Sequence, residues 1–201
     1  MRLKHEIRSE TVIQKSRFIS CCAPVRTEEE ARTFIAAIRK EYPDSTHVCT
    51  AYIIGSRAEI QRSNDNGEPS GTAGIPILEA IRHAGLTDTC AAVVRYFSGI
   101  KLGTGGLARA YGGCVQEALT EAPRVEDQSL AVWSVTYPYD LSGVLEGWIR
   151  RNCEILDLTY EEQVTCTFAG GQENLPDTIR DLSKGTCEAN LLRYETREID
   201  V

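Results

Sequence analysis

Apolar positions in the first half of the chain come in continuous runs that predict strands. These runs cover Phe18–Val25, His47–Ile54 and Thr89–Tyr96, and β-branched and aromatic residues are frequent in them. The run at Thr89–Tyr96 has almost no polar interruption, which is typical of a central strand buried on both faces. The first half therefore contains a β-sheet with at least three strands.

The segments between these runs have apolar residues at helical spacing. Thr27 is a predicted N-cap, because three glutamates follow it in what would be the first turn, and Tyr42-Pro43 ends that helix. A second helix is predicted from about Pro76 to Gly85, and a third carries the apolar residues between Leu107 and Leu119. Gly112 and Gly113 lie within the third helix and predict close packing against another backbone.

The second half has a different order of elements. A strand at 130–137 precedes a helix at 140–151, two short strands near 153–158 and 162–168, a helix near 172–183 and a strand at 187–199. The order βαββαβ is that of the ferredoxin-like plait. A polar stretch, Glu121–Gln128, is the predicted linker. We therefore predict an α+β protein with two domains, at 1–126 and 127–201.

Charge supports this division. The chain has 201 residues, 42% hydrophobic and 25% charged, which suits two globular domains of about 100 residues. Up to Glu126 there are 16 Lys+Arg and 15 Asp+Glu, whereas from Asp127 onward there are 6 and 14. The net charge of −7 argues against indiscriminate binding of nucleic acid, although a local basic site is compatible with it.

The N-terminal segment and the cysteines indicate a cytoplasmic protein. The first ten residues are charged and lack the apolar stretch of a secretory signal, and no apolar run is long enough to cross a bilayer. The eight cysteines include no CxxC pair, so reduced thiols acting as small core residues are expected rather than disulfides. We expect no association with a membrane.

Two glycine-rich loops, Asp65–Gly74 and Arg95–Gly106, are the strongest candidates for a functional surface. Each leads into a predicted helix, where backbone N–H groups at the positive end of the helix dipole suit a phosphate or carboxylate. The predicted residues for binding nucleic acid or phosphate are in the second loop and the helix after it: Arg95, Tyr96, Lys101, Gly103, Gly105, Gly106 and Arg109. The first loop would support them through Asp65, Gly67, Glu68, Ser70, Gly71 and Thr72.

The second loop is also the one locally basic stretch. No acidic residue lies between Asp88 and Glu117, and Tyr96, Phe97 and Tyr111 interleave with the basic residues. Aromatic rings beside Arg and Lys suit stacked bases and backbone phosphates of single-stranded RNA. The alternative is that both loops are tight turns without a ligand and that Tyr111 packs on an apolar helix face. Neither loop matches the P-loop pattern.

Catalytic constellations are weak in this sequence. A lone loop glutamate such as Glu68 is expected to be solvated, although Asp65 and Glu68 together could hold a cation. His47 and Cys49 share a face of their predicted strand. The three histidines lack metal-ligand spacing, and no G-x-S-x-G elbow is present. We therefore predict no catalytic residue, no metal site and no cofactor.

The two loops carry a family resemblance. The motifs DNGEPSGTAG and RYFSGIKLGTGGLARAYG, together with Lys15–Phe18 and the segment Tyr42–Tyr52, resemble the IMPACT/YigZ family over essentially the whole chain. One position departs from the family pattern, because Ser98 stands where the family usually has the first of two glycines. A positive φ at Ser98 would be strained.

The resemblance implies a fold and a role. Family members have an N-terminal domain of the ribosomal second-domain fold, a sheet packed against helices, followed by a ferredoxin-like domain. The pair is similar to domains IV and V of elongation factor G, and this chain resembles the compact bacterial form. The family is associated with regulation of translation and with binding of nucleic acid or ribosomes, and no reaction is firmly attached to it.

Three functions follow as hypotheses. The leading one is a non-catalytic regulator of translation that binds RNA or the ribosome through the glycine-rich loops. The second is an enzyme that binds a nucleotide or phosphorylated metabolite at the same loops, with Glu68 or Asp65 holding a magnesium ion. The third is a protein–protein regulator, with a partner bound by the acidic C-terminal domain.

Overall fold

A computed structural model describes residues 1–170 and 174–201 of the chain as two compact units. The first unit contains Met1–Glu126 together with Asp200–Val201, and the second contains Asp127–Ile199. The chain passes from one to the other between Glu126 and Asp127, where its charge balance changes. The last two residues belong with the first unit, unlike the predicted second domain of 127–201.

The first unit is built on an antiparallel sheet of five strands. The strands of this unit are β1 (Arg2–Leu3), β2 (Ile7–Ile13), β3 (Ser16–Pro24), β4 (His47–Ile54), β5 (Ile60–Asn64) and β6 (Thr89–Tyr96), and their order in the sheet is β2–β3–β6–β4–β5. Its helices are α1 (Glu28–Glu41), α2 (Gly74–His83) and α3 (Gly103–Thr120). The short strand β1 lies outside this sheet, because it pairs with Val125 and Arg124.

Helices cover both faces of this sheet. Side chains of α2 and α3 pack on one face against residues such as Phe18, Cys49 and Val93. On the other face, α1 packs Ile35 and Ile38 against the sheet. Thr27 caps α1 as predicted, since its hydroxyl accepts a hydrogen bond from the Glu30 N–H at 3.1 Å. The sheet is therefore the middle of three layers.

The three apolar runs are confirmed as the central strands β3, β4 and β6. Strands β2 and β5, which form the two edges, were not predicted from the sequence. An edge strand is exposed to water along one side, so its sequence can be polar. In β2 alternate residues from Ile7 to Ile13 are exposed, and Arg62, Ser63 and Asn64 of β5 are all exposed.

The second unit has the predicted element order βαββαβ. Its elements are β7 (Arg124–Tyr137), a 3-10 turn (Tyr139–Leu141), α4 (Ser142–Asn152), β8 (Glu154–Tyr160), β9 (Val164–Gly170), α5 (Leu175–Leu182) and β10 (Asn190–Asp200). In its sheet β7 pairs with β10 and β9, and β9 pairs with β8.

Two sequence predictions for this half need comment. The predicted linker at Glu121–Gln128 is wrong from Arg124 onward, because β7 begins there. Positions 171–173, in which the predicted fifth helix began, lie outside the described residues.

The eight cysteines are all free thiols, and only Cys153 is more than slightly exposed. Burial raises the pKa of Cys90 to about 12, so its thiol remains protonated at neutral pH. In the described part of the chain, no helix combines the length and the apolarity needed to cross a membrane. The two domain-fold names that the family resemblance implies stay predictions.

Helices α2 and α3 touch at Gly112. A Cβ at Gly112 would lie 3.4 Å from the carbonyl oxygen of Pro76 and 3.5 Å from its Cβ. A Cβ at Gly113 would have no neighbour within 4 Å. The close packing predicted from these two glycines therefore holds for Gly112 and not for Gly113.

Alanine at these two positions separates helix propensity from packing. Gly113→Ala should raise the free energy of unfolding by about 1 kcal/mol, because alanine restricts the unfolded chain and the new methyl meets nothing. Gly112→Ala should gain more, because its methyl would also be buried in ordinary van der Waals contact with Pro76. Urea denaturation of both variants measures the difference, and an equal gain at the two positions would contradict the packing account.

Candidate functional site

The first glycine-rich loop already holds an anion, the carboxylate of Asp65. Its Oδ2 accepts a hydrogen bond from the Gly71 N–H at 2.8 Å, and its Oδ1 accepts from Ala73 at 2.9 Å and Gly74 at 2.8 Å. These N–H groups lead into α2, so Asp65 occupies the position at which a bound phosphate would lie. The first loop is therefore closed on itself and is not an anion site.

The same three donors set the ionisation of Asp65. Burial by itself would raise the pKa of Asp65, but the hydrogen bonds from Gly71, Gly74 and Ala73 outweigh burial and lower the pKa below its ordinary value. Further along this loop, Thr72 donates its hydroxyl hydrogen to the Pro69 carbonyl at 2.7 Å. Gly67 and Gly71 have positive φ values of 87° and 75°, a conformation that glycine adopts without strain.

The second loop leaves the N-terminus of α3 open. The residue before the helix, Leu102, offers no side-chain cap, and the first turn contains no acidic residue. The N–H groups of the first turn, from Gly103 to Gly105, have no carbonyl partner within the helix. Gly103 has a φ of 70°, so a glycine is needed where the chain enters the helix. Unlike α2, α3 therefore presents free donors.

Ser98 is accommodated without the expected strain. The positive φ of this loop is at Gly99, with a value of 90°, and Ser98 is not among the described residues with positive φ. The Ser98 hydroxyl donates to the carbonyl of Gln14 at 3.0 Å and lies 3.2 Å from the Ser16 hydroxyl. The serine thus ties the second loop to the turn between β2 and β3.

Glu68 is buried, contrary to the expectation of a solvated loop carboxylate. Its Oε1 accepts hydrogen bonds from Arg95 Nη1 at 2.5 Å and from the Tyr111 hydroxyl at 2.7 Å. The side chains of Glu68 and Arg95 are only 4% and 5% exposed. Burial, together with the nearby Cys49 and Glu68, raises the pKa of Tyr111, so the phenol stays protonated and donates to the carboxylate.

His47 completes this buried cluster. Its Nδ1 lies 2.8 Å from the carbonyl oxygen of Asn66, and its Nε2 lies 3.9 Å from Glu68 Oε1. Because a carbonyl only accepts, Nδ1 carries the proton and the lone pair of the neutral ring is on Nε2. Cys49, on the same strand face as predicted, donates to the Asp65 carbonyl. Burial raises the pKa of Cys49 to about 12, so it is not a ready nucleophile.

These groups meet the open end of α3 in a cavity of about 360 Å³, which we call the α3 recess. Arg95 lies within it, with its guanidinium carbon 5.4 Å from the centre of the Phe18 ring and 5.0 Å from that of Phe97. Arg95 Nε is buried and has no hydrogen-bond partner among the described residues. The residues that define the recess are His47, Glu68, Arg95, Phe97, Lys101 and Thr104.

The predicted binding residues divide among three places. Arg95, Lys101 and Gly103 line the recess. Gly105 is in the first turn of α3, beside the Arg109 guanidinium, and Arg109 is exposed outside the lining. Tyr96 points to the opposite face of the sheet, where its hydroxyl donates to Asp44 at 3.0 Å, because neighbouring residues of a strand face opposite ways.

The remaining predicted residues are accounted for as follows. Gly106 lies in the first turn of α3, where a Cβ would come within 3.1 Å of the Leu102 Cβ. Ser70 is exposed in the first loop. Asp65 and Glu68 were also considered together as ligands of a cation. Each of their carboxylates already accepts hydrogen bonds from other groups of the protein. Among the described residues, no group of three His, Cys, Asp or Glu side chains is placed to hold a metal ion.

Sequence reasoning missed the roles of His47 and Thr104 in the recess, and it noted Phe97 only as one of the aromatic residues of the basic stretch. His47 had been noticed only as a strand neighbour of Cys49. One signal in the sequence could have found His47. His47 and Arg95 are polar residues of β4 and β6, two apolar central strands in which polar side chains are rare. The two residues are register partners in the sheet, and both side chains line the recess.

Removing the Asp65 carboxylate tests the closed first loop. Asp65→Ala should lower the free energy of unfolding by about 2 kcal/mol at pH 7, because three N–H groups lose their acceptor. A lowered folded-state pKa stabilises the protein above the ordinary pKa of about 4. The difference between wild type and variant should therefore shrink as the pH falls through the folded-state pKa. Urea denaturation at several pH values measures it, with Asp65→Asn as a charge-free control that keeps Oδ1.

A second prediction concerns the buried ion pair. Glu68→Ala should lower the free energy of unfolding by about 3 kcal/mol, because the Arg95 guanidinium is left buried without a counter-charge. Glu79→Ala, which breaks an exposed pair with Arg82, should cost less than about 1 kcal/mol. The double variant Glu68→Leu/Arg95→Met should recover much of the loss in the same denaturation assay. Equal effects of Glu68→Ala and Glu79→Ala would overturn this account.

Comparison with known proteins places the site within a described family. The Impact N-terminal domain family matches residues 14–119, which include both loops. The IMPACT family member YvyE of Bacillus subtilis is 47% identical over 162 residues, 80% of this chain and 73% of that protein. The IMPACT family member YigZ of Escherichia coli is 40% identical over 182 residues, 88% of this chain and 89% of that protein.

A solved structure is similar over nearly the whole chain. A crystal structure described only as that of a hypothetical protein aligns with a TM-score of 0.59 at 29% identity, covering 96% of each chain. The sequence matches to the family and its members extend over both loops and most of the chain. The chain therefore belongs to the IMPACT family.

Proposed function

We propose that this protein is a regulator of translation that binds RNA, free or in the ribosome, through the α3 recess. The observation that carries the proposal is the uncapped N-terminus of α3, which opens into a cavity of about 360 Å³ beside Lys101. Free backbone donors, a helix dipole and a basic side chain at one place favour a phosphate group. In RNA, each nucleotide carries such a group.

The charges around the recess favour an anion. Glu68 and Arg95 neutralise each other, whereas Lys101 has no carboxylate partner among the described residues. The positive end of α3 adds to the charge of Lys101, and Arg109 lies about two turns from the start of the helix. The uncompensated charge of this surface is therefore positive, although the chain as a whole carries −7.

Phe97 provides a place for a base. Phe97 is 42% exposed, which is high for a large hydrophobic residue, and it lines the recess near Arg95. Aromatic rings at the surface stack on the bases of single-stranded RNA, and such stacking contributes about 1–3 kcal/mol for each base. A phosphate at α3 and a base on Phe97 would together occupy one nucleotide.

The role in translation rests on the family rather than on the recess. Family members are associated with regulation of translation, and this chain belongs to that family. RNA of the translation apparatus is therefore the expected target, and the cytoplasm the expected location. A protein partner for the acidic second unit stays a prediction.

A second candidate function has one observation in its favour. His47 Nε2 and the Glu68 carboxylate lie 3.9 Å apart in the α3 recess, and no group among the described residues donates to Nε2. A histidine base beside a buried carboxylate is an arrangement used in acid–base catalysis. Binding of a nucleotide or phosphorylated metabolite would raise the melting temperature in the presence of magnesium, and His47→Ala would abolish any turnover. The absence of such shifts across nucleotides would leave RNA as the ligand.

The RNA proposal predicts a salt-dependent interaction that requires the second loop. Wild-type protein should sediment with ribosomes or with single-stranded RNA at low salt and be released at high salt, because phosphate contacts release counterions. Lys101→Ala/Arg109→Ala should reduce the slope of log K against log salt by about 1.4, since each phosphate contact on a single strand contributes about 0.7.

The control variant removes the same charge elsewhere. Arg57→Ala/Arg151→Ala takes away two exposed arginines outside the recess and should sediment like wild type. Nuclease treatment should abolish the sedimentation that depends on RNA. Absence of sedimentation at low salt, or equal losses in the two double variants, would overturn the proposal.

A further inference from the structure

A second concave surface lies on the other face of the first sheet, between α1 and the edge strand β5. It encloses about 350 Å³. Its floor includes Thr50 and Tyr52, which alternate along β4 with Cys49 and Ala51 of the α2–α3 face. We call it the α1 groove and define it by Arg32, Arg39, Thr50, Arg62, Ser63 and Asn64.

Three arginines converge on this groove. Arg32 and Arg39 are seven residues apart on α1, hence about two turns along the same helix face. Arg62 is the register partner of Tyr52, so it projects to the same side of the sheet. The α1 groove is therefore lined by guanidinium groups from both of its walls.

Little negative charge opposes them. Glu28 accepts hydrogen bonds from Arg32 at 3.3 Å and from the Tyr52 hydroxyl at 2.7 Å. Arg62 donates to the carbonyl of Gln61, at 3.0 Å. Neither Arg39 nor Arg62 forms a salt bridge with a carboxylate among the residues that the structure describes. Glu28 also attracts Arg62 electrostatically, so three guanidinium groups share this one carboxylate and the groove keeps a net positive charge.

The donors in the groove match phosphate oxygens. A guanidinium offers two parallel N–H groups, which fit two oxygens of one phosphate. The amide of Asn64, which shares this face because Asn64 is the register partner of Thr50, adds a neutral donor of the kind that contacts the backbone of nucleic acids. Because Arg32 and Arg39 are two turns apart, they suit anionic groups repeated along a chain.

The groove and the α3 recess are adjacent in sequence. Strand β5 ends at Asn64, which lines the groove, and the next residues form the loop whose Glu68 and Pro69 line the recess. Strand β5 is also an edge of its sheet, with no described strand paired beyond it. A flexible ligand can therefore pass around this edge from one face to the other.

From these observations we infer that the α1 groove binds the phosphodiester backbone of single-stranded RNA, as a continuation of the strand held at the α3 recess. The inference rests on the proposed function. The recess takes one nucleotide by its phosphate and base, whereas the groove takes following phosphates without contacting bases. Affinity should consequently rise with the length of the RNA.

The test compares two lengths of RNA on the full chain. Fluorescence anisotropy is measured with labelled oligouridylates of 4 and 12 nucleotides over a range of salt. Wild type should bind the 12-mer more tightly than the 4-mer and with a steeper salt slope. Arg39→Gln/Arg62→Gln should reduce the 12-mer slope by about 1.4 and leave the 4-mer unchanged. Lys101→Ala should weaken both.

A matched control variant and the outcomes below decide whether the α1 groove binds RNA. Arg57→Gln/Arg151→Gln removes two exposed arginines from elsewhere and should behave like wild type with both RNAs, and melting temperatures check that each variant is folded. Equal affinity for the two lengths, or equal behaviour of the groove and control variants, overturns the groove while leaving the recess intact. Failure of both RNAs to bind overturns the proposed function and the groove together. Binding of polyglutamate as tightly as the 12-mer would reassign the groove to acidic protein segments.

Discussion

The buried carboxylate of Glu68 joins the three elements from which the site is made. It belongs to the loop after β5, it pairs with Arg95 at the end of β6, and it accepts from Tyr111 within α3. A charge so deeply buried is tolerated only when its partners satisfy it. The position of the first loop is thus linked to the strand and helix that flank the second loop, so the walls of the α3 recess are fixed relative to one another.

Two loops of similar composition have opposite roles for a simple reason. Both are rich in glycine and both lead into helices, but only the first contains an aspartate placed to accept from the next helix. Asp65 satisfies the N–H groups at the start of α2, and its lowered pKa keeps it charged. The second loop has no acidic residue near α3. Consequently the donors of one helix hold the fold together, while those of the other remain free for a ligand.

The sequence predicts those parts of the fold in which burial leaves a strong pattern. Central strands β3, β4 and β6 are apolar on both faces and were found, as was the capped helix α1. Edge strands β2 and β5 are half exposed and resemble loops, so they were missed. The α3 recess was predicted as a loop and not as a cavity, because Glu68 and Arg95 are 27 residues apart and nothing local indicates their pairing. Adjacent residues such as Arg95 and Tyr96 were grouped together, although a strand sends their side chains to opposite faces.

The acidic net charge of the chain is compatible with binding RNA at the first unit. At physiological ionic strength the Debye length is about 8 Å, so exposed charges farther from the recess than this are largely screened. The groups that a phosphate would meet are then the local ones, the open end of α3 and Lys101. At lower salt, attraction at the recess and repulsion from the acidic second unit both extend farther. A protein with this net charge would bind duplexes and other polyanions weakly when no specific contacts are made. Selectivity for RNA would come from donors that Glu68 and its partners hold at fixed positions.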